Sequence, residues 1–186
     1  MAFWANGTYN IVLNTTLFSN PSGAEDLYRN QLAWLEARLH YARVKGAELI
    51  FVFGHHPWFI YSEDEKTNDL DGASAFPVEW VGTGLGGGGT EDIIPDKKFH
   101  VPKQYRKSVM ELFKEYGVNA AFAGHFHQNH VSRSSFGMEM IITSSLSMVF
   151  ESTGIPQDFE EPKTRGIRIV EVGEGQQFSH RFISLQ

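Results

Sequence analysis

Four of the chain's 8 histidines fall in two short windows, Gly54-His55-His56-Pro57 and Gly124-His125-Phe126-His127. Neutral imidazole is the commonest nitrogen ligand for zinc, copper, iron or nickel, and a glycine beside it lets the backbone turn so that the ring can face an ion. Any one of these histidines taken alone reads as a hydrogen-bonded core residue. Composition alone would give roughly 0.03 Gly-His-x-His matches in a chain of this length, so its presence beside a second histidine pair points to a site. His130 lies three residues beyond His127 and can support a ligand from behind, although a loop histidine at the surface is the commoner reading. His40, His100 and His180 read as incidental.

Other chemistry has less support. Cysteine is absent, which removes disulfides, thiolate zinc sites and cysteine nucleophiles together, so a metal must be held by histidine and carboxylate. The Gly86 to Gly89 run lacks the Lys-Ser/Thr of a P-loop and reads as a linker. Ser144 and Ser145 follow a strand-like segment, but no Gly-x-Ser-x-Gly elbow accompanies them. With Lys+Arg 16 against Asp+Glu 22 the formal charge is -6, which argues against a nucleic-acid partner.

The elements that would position the histidines form one arrangement used twice. Tyr28, Leu32, Leu35, Leu39 and Ala42 share a helical face, Ser22 and Glu25 have capping-box spacing before it, and Gly46 can take the left-handed stop after it. Leu49 to Phe53 then forms an unbroken apolar run of strand length, as a parallel strand covered on both faces requires, and ends at the first histidine pair. Pro102 can begin a second helix with the stripe Tyr105, Val109, Leu112, Phe113 and Tyr116, which Gly117 would stop. Val118 to Ala123 follows as a buried strand and ends at the second pair. Ligands of open α/β sheets bind outside the carboxyl ends of the strands, so neighbouring strands of this kind would unite the two windows in one site.

Further strands are expected at Tyr9 to Leu13, Met138 to Thr143, Gly166 to Val172 and Phe178 to Leu185, the last two as a hairpin about Gly173-Glu174-Gly175. Residues 62–100, with acidic Glu63-Asp64-Glu65 and the glycine run, read as an exposed insertion or lid loop within a single domain spanning 1–186. A chain of 186 residues with 41% hydrophobic residues should bury roughly 70% of its unfolded surface. No window approaches the length of a membrane span and no targeting signal opens the sequence, so a cytoplasmic protein without a membrane partner is expected. Asn6-Gly7-Thr8 and Asn14-Thr15-Thr16 match the glycosylation pattern but read as accidental without such a signal.

With Phe53-Gly54-His55-His56-Pro57-Trp58-Phe59 and Ala123-Gly124-His125-Phe126-His127 in hand, the chain resembles the carboxyl-terminal half of the calcineurin-like metallophosphoesterases. Within them it is most similar to the calcineurin-like phosphoesterase domain-containing branch, which includes protein serine/threonine phosphatases. Phe3-Trp4-Ala5-Asn6-Gly7, Gln31-Leu32-Ala33-Trp34-Leu35, Gly166-Ile167-Arg168 and Phe182-Ile183-Ser184-Leu185 all resemble that branch.

The resemblance implies an α/β fold, an αββα sandwich whose amino-terminal half is absent from this chain. It implies hydrolysis of phosphomonoesters or phosphoproteins by a metal-activated hydroxide. It also implies two divalent or trivalent ions, with zinc, iron and manganese all admissible. By the same resemblance, His55 and His125 ligate one ion and His127 the other; His56 and His130, from their positions beside these residues, are candidates to support the ligands or meet the substrate. The catalytic residues are left unassigned.

The family's Asp-x-His, Gly-Asp-x-x-Asp and Gly-Asn-His motifs do not occur in these residues. Three imidazoles bring no negative charge to offset two dications, so the acidic ligands are expected from a second chain or a missing segment. Two other readings use only the residues present. One is a noncatalytic binding module that keeps the fold, and the other is a mononuclear zinc hydrolase built on His55, His125 and His127.

Overall fold

A computed structural model describes residues 1–65, 100–147, 149, 162–175 and 177–185. Its main feature is a mixed sheet of six strands in the order β1-β2-β3-β4-β6-β5. The strands are β1 (Ala2–Ala5), β2 (Thr8–Val12), β3 (Leu49–Phe53), β4 (Ala120–Ala123), β5 (His130–Arg133) and β6 (Glu139–Ile142). β2, β3, β4 and β6 run parallel, while β1 and β5 close the two edges antiparallel. A separate antiparallel pair joins β7 (Gly166–Val172) to β8 (Phe178–Ser184).

Strand alternation divides the apolar residues between two faces. Ile50 and Val52 of β3, Ala121 of β4, and Met140 and Ile142 of β6 face the larger core, with α2 (Glu25–Val44) and α3 (Lys103–Glu115) packed over them. Leu49, Phe51, Ala120 and Ile141 point the other way, where Val170 and Phe178 of the hairpin cover them. The short helix α1 (Thr16–Ser19) follows β2 directly and buries Phe18 against Tyr28 and Trp58. No helix among the described residues is long and apolar enough to cross a membrane.

Both expected helix stops form. Gly46 and Gly117 have φ of 76° and 62°. After α2, Ala47 N–H donates to Ala42 O at 2.9 Å and Gly46 N–H to Arg43 O at 3.1 Å; after α3, Val118 N–H donates to Phe113 O at 2.8 Å and Gly117 N–H to Lys114 O at 3.3 Å. These paired bonds satisfy the last carbonyls of each helix and turn the chain into the next strand. Arg43 welds the two ends together, donating to Ala47 O, Tyr116 O and Gly117 O. Two equal helix-to-strand turns therefore feed β3 and β4 into the sheet side by side.

The start of α2 differs from expectation. The cap position is Ala24, not Ser22, and no side chain caps it; Glu25 instead accepts from Gly23 N–H at 3.1 Å. β1, β5 and α1 were not expected from the sequence. Their segments are short, and two of the three depend on a neighbouring strand for pairing.

The expected insertion falls mostly on residues 66–99, which lie outside the described residues, but its two ends are described. Ser62 and Asp64 are exposed there, while Glu65 and His100 turn inward. Glu65 accepts from the backbone N–H groups of Ile60, Tyr61 and Ser62, and His100 Nε2 lies 3.5 Å from its carboxylate. Arg106, fully buried on α3, donates to the carbonyls of Glu63, Val101 and Glu65. A buried guanidinium needs such partners, because leaving it unpaired would cost several kcal/mol.

Burial, together with the Arg106 guanidinium, lowers the His100 pKa from 6.5 to about 3. The unfolded chain protonates His100 near pH 6.5 while the folded protein refuses that proton until about 3, so stability should fall as pH drops through this window. Urea unfolding midpoints measured from neutral to acidic pH should decline less steeply in His100→Gln than in the wild type. Parallel declines would contradict this assignment.

Candidate functional site

β3 pairs in parallel with β4, with Phe51 opposite Ala120 and Phe53 opposite Phe122, so the two chains leave the sheet together at its carboxyl edge. The crossing is sealed by Gly54 N–H to Phe122 O at 3.0 Å and Gly124 N–H to His55 O at 3.1 Å. Beyond it, His125 Nδ1 lies 2.9 Å from His55 Nε2. His56 completes a cluster of rings, with centroids 4.9 Å from His55 and 4.2 Å from His125.

The backbone that aims these rings is unusual. His125 and His127 have φ of 62° and 56°, in the left-handed region that side chains other than glycine rarely enter. Phe126 N–H bonds to Gly124 O at 2.6 Å, closing a γ-turn of the rarer positive-φ kind around His125. Strain of this sort costs of order 1–3 kcal/mol per residue and persists where surrounding structure imposes it, as at ligand sites.

On the β3 side the organiser is Thr15, at the junction between β2 and α1. Its buried hydroxyl accepts from His55 N–H at 2.9 Å and His56 N–H at 2.7 Å, and lies 3.3 Å from His56 Nδ1. A threonine at a helix start ordinarily spends its hydroxyl on that helix, yet Thr15 makes no such cap bond to α1. Sequence reasoning passed over Thr15; the signal was a hydroxyl directly after a strand, in Leu13-Asn14-Thr15.

Burial first, and then His125 and His55, lower the His56 pKa from 6.5 to about 4, so this ring is neutral at neutral pH. Neutral nitrogen donors are what a metal ion needs. Ligand atoms of His55, His56 and His125 all lie within 4.8 Å of one another, and no carboxylate joins the group among the described residues. Two nitrogens on one tetrahedral zinc, each at about 2.0–2.1 Å, sit roughly 3.3 Å apart, so the His55–His125 contact need open by only a few tenths of an ångström. The donors fit a single borderline-soft ion, while a pair of ions would need acidic oxygens that these rings do not supply.

Of the expected ligands, the structure therefore brings His55 and His125 together and adds His56; His127 lies outside that group. His130 begins edge strand β5 and is buried, its ring centroid 5.3 Å from that of Tyr61, so it is not a surface loop residue. His180 lies inside β8, outside the histidine cluster, where Nδ1 meets Arg168 at 2.9 Å and Nε2 meets Glu139 at 3.2 Å. Asn129, just after the second histidine window, ties the site to the approach of β7 by donating to Pro162 O and Thr164 O, while its Oδ1 accepts from Ser144 N–H at 2.9 Å.

Gly54 is the tight point. A Cβ added there would stand 2.3 Å from Thr15 Cγ2, so Gly54→Ala must displace the side chain that holds both histidine amides. Crowding of this kind typically costs about 1–3 kcal/mol, measurable as a lower urea midpoint, with weaker zinc binding beside it. A variant as stable as the wild type would show that Thr15 is not held as described.

No family model matches the sequence. The chain is 27% identical over 184 residues, 99% of its length, to the serine/threonine-protein phosphatase CPPED1 of Danio rerio and, equally, to that of Homo sapiens. It is 24% identical over the same span to the Mus musculus protein. The alignments take in 46% of each relative, so the chain spans about half the length of the curated relatives it matches. A solved structure described as GAP50, the anchor in the inner membrane complex of Plasmodium, superimposes with a TM-score of 0.65 at 17% identity, covering 99% of this chain and 48% of that one. The mixed α/β sheet with histidines at its carboxyl edge thus matches about half of each of these longer proteins, and over nearly its full length the chain is homologous to the CPPED1 serine/threonine phosphatases, of the calcineurin-like phosphoesterase type.

Proposed function

We propose that this chain forms the histidine half of a metal-dependent phosphoesterase acting on phosphomonoesters or phosphoproteins. The observation that carries the reading is the meeting of His55 Nε2 and His125 Nδ1 at 2.9 Å, where adjacent parallel strands end, in a chain homologous to serine/threonine phosphatases. His55 and His125 would hold the ion, which when bound neutralises phosphoryl charge and lowers the pKa of water. Thr15 fixes the peptide that carries His55, the γ-turn fixes His125, and buried Trp58 and Phe126 back the loops that present the rings.

A second ion, His127 as its ligand, and acidic ligands supplied by a further segment or a second chain belong to the same proposal. So does completion of an αββα sandwich. Phe53 and Phe122 stack at 4.9 Å on the hairpin side of the sheet and are only half-buried, which leaves apolar surface there for further structure to cover. A cytoplasmic setting is compatible with the cysteine-free sequence.

One observation favours a second reading, a noncatalytic module that binds one ion: the histidine cluster contains no carboxylate among the described residues. Hydrolysis of para-nitrophenyl phosphate separates the two. With zinc, manganese or iron and an amino-terminal segment that supplies acidic ligands, hydrolysis should appear and should fall at least about 100-fold in His125→Ala, whose circular dichroism stays that of the wild type. No hydrolysis in any mixture, with one ion bound per chain, would establish the module instead.

A further inference from the structure

The three clustered histidines do not play one part, and the hydroxyl of Thr15 divides them. A hydroxyl has two acceptor lone pairs and one proton. Both lone pairs of Thr15 Oγ1 are taken by backbone donors, His55 N–H at 2.9 Å and His56 N–H at 2.7 Å. The remaining contact, 3.3 Å to His56 Nδ1, can then be made only by the hydroxyl proton, so Nδ1 is the acceptor. A neutral imidazole carries one proton, and with Nδ1 accepting, that proton sits on Nε2.

We propose that Thr15 fixes His56 as its Nε2–H tautomer, which removes His56 from the ligand set and leaves it as a hydrogen-bond donor to an anionic oxygen brought to His55 and His125. Thr15 is the positioning residue of this arrangement. Its placement explains why a threonine at the start of α1 leaves that helix uncapped, since the hydroxyl is already spent on the histidine loop. Gly54 belongs to the same arrangement, because a side chain there would occupy the space of the Thr15 methyl group.

The neighbouring pair behaves differently. His55 Nε2 and His125 Nδ1 face each other at 2.9 Å, a contact between side chains that an ion can replace without disturbing the Thr15 hydroxyl. His56 can offer Nε2 as a lone pair only if the Thr15 hydroxyl gives up its proton contact to Nδ1. A cation therefore selects His55 and His125, and an oxygen of the phosphoryl class finds the N–H of His56 beside them. The identity of that oxygen rests on the phosphoesterase reading; the tautomer and the division of the ligands do not.

Long-range 1H–15N correlation spectra of the full chain at neutral pH read the tautomer directly. The His56 pattern should be Nε2–H in the wild type and in Thr15→Ser, and mixed or Nδ1–H in Thr15→Val. Zinc calorimetry supplies the second measurement: His55→Ala and His125→Ala should each weaken binding about tenfold or more, and His56→Ala by less than about threefold. An Nδ1–H pattern in the wild type, or equal zinc losses in all three alanine variants, would overturn the proposal. Inorganic phosphate added to the zinc-loaded protein should bind more weakly in His56→Ala than in the wild type. If phosphate binds neither protein while the spectra and zinc losses stand as stated, the phosphoester reading fails and the division of the histidines survives.

Discussion

The parallel pairing of β3 with β4 is the constraint from which the site follows. Their register puts Phe53 beside Phe122, and the next peptides, Gly54 and Gly124, continue the hydrogen bonding past the end of the sheet. Residues 70 positions apart in the sequence are thereby brought within hydrogen-bond distance. A parallel pair requires a long crossover, and here α3 provides it together with the segment that precedes it. The Arg43 bonds to the end of α3 help to fix where β4 begins, and hence where His125 is delivered.

Charge explains what the site can hold. The rings of His55, His56 and His125 lie close together without a carboxylate among the described residues, and burial, then His125 and His55, hold the His56 pKa down to about 4. The proposed function asks this cluster to hold one cation through neutral ring nitrogens. The cluster is not prepared to neutralise two, which is why homology to phosphatases about twice this length matters to the functional reading. The second buried polar group, around Arg106, Glu65 and His100, ties Glu63 and Glu65 to Val101 and the start of α3.

Much of this was legible in the sequence because it depends on local chemistry. Gly46 and Gly117 each follow an apolar helical stripe, and only a left-handed stop suits a glycine there. The run Leu49 to Phe53 could only be a strand buried on both faces, and the histidines after it had to lie at a carboxyl end. What could not be read depends on contacts between distant segments. Thr15 looks like any threonine after a strand until Gly54 closes against it. His130 looks like a loop residue until β6 recruits it into an edge strand. The choice of His56 over His127 as the third member of the cluster follows from left-handed turns that no spacing reveals, and the capping box failed because α2 starts two residues later than the Ser22 spacing required.

X-ray absorption at the zinc edge of the metal-loaded chain tests the central claim most directly. Two imidazole shells with nitrogen at about 2.0–2.1 Å, lost together in the double variant His55→Ala/His125→Ala, are the expected result. An oxygen-only shell, or imidazole scattering unchanged in that variant, would contradict the view that the strand ends of β3 and β4 hold the cation.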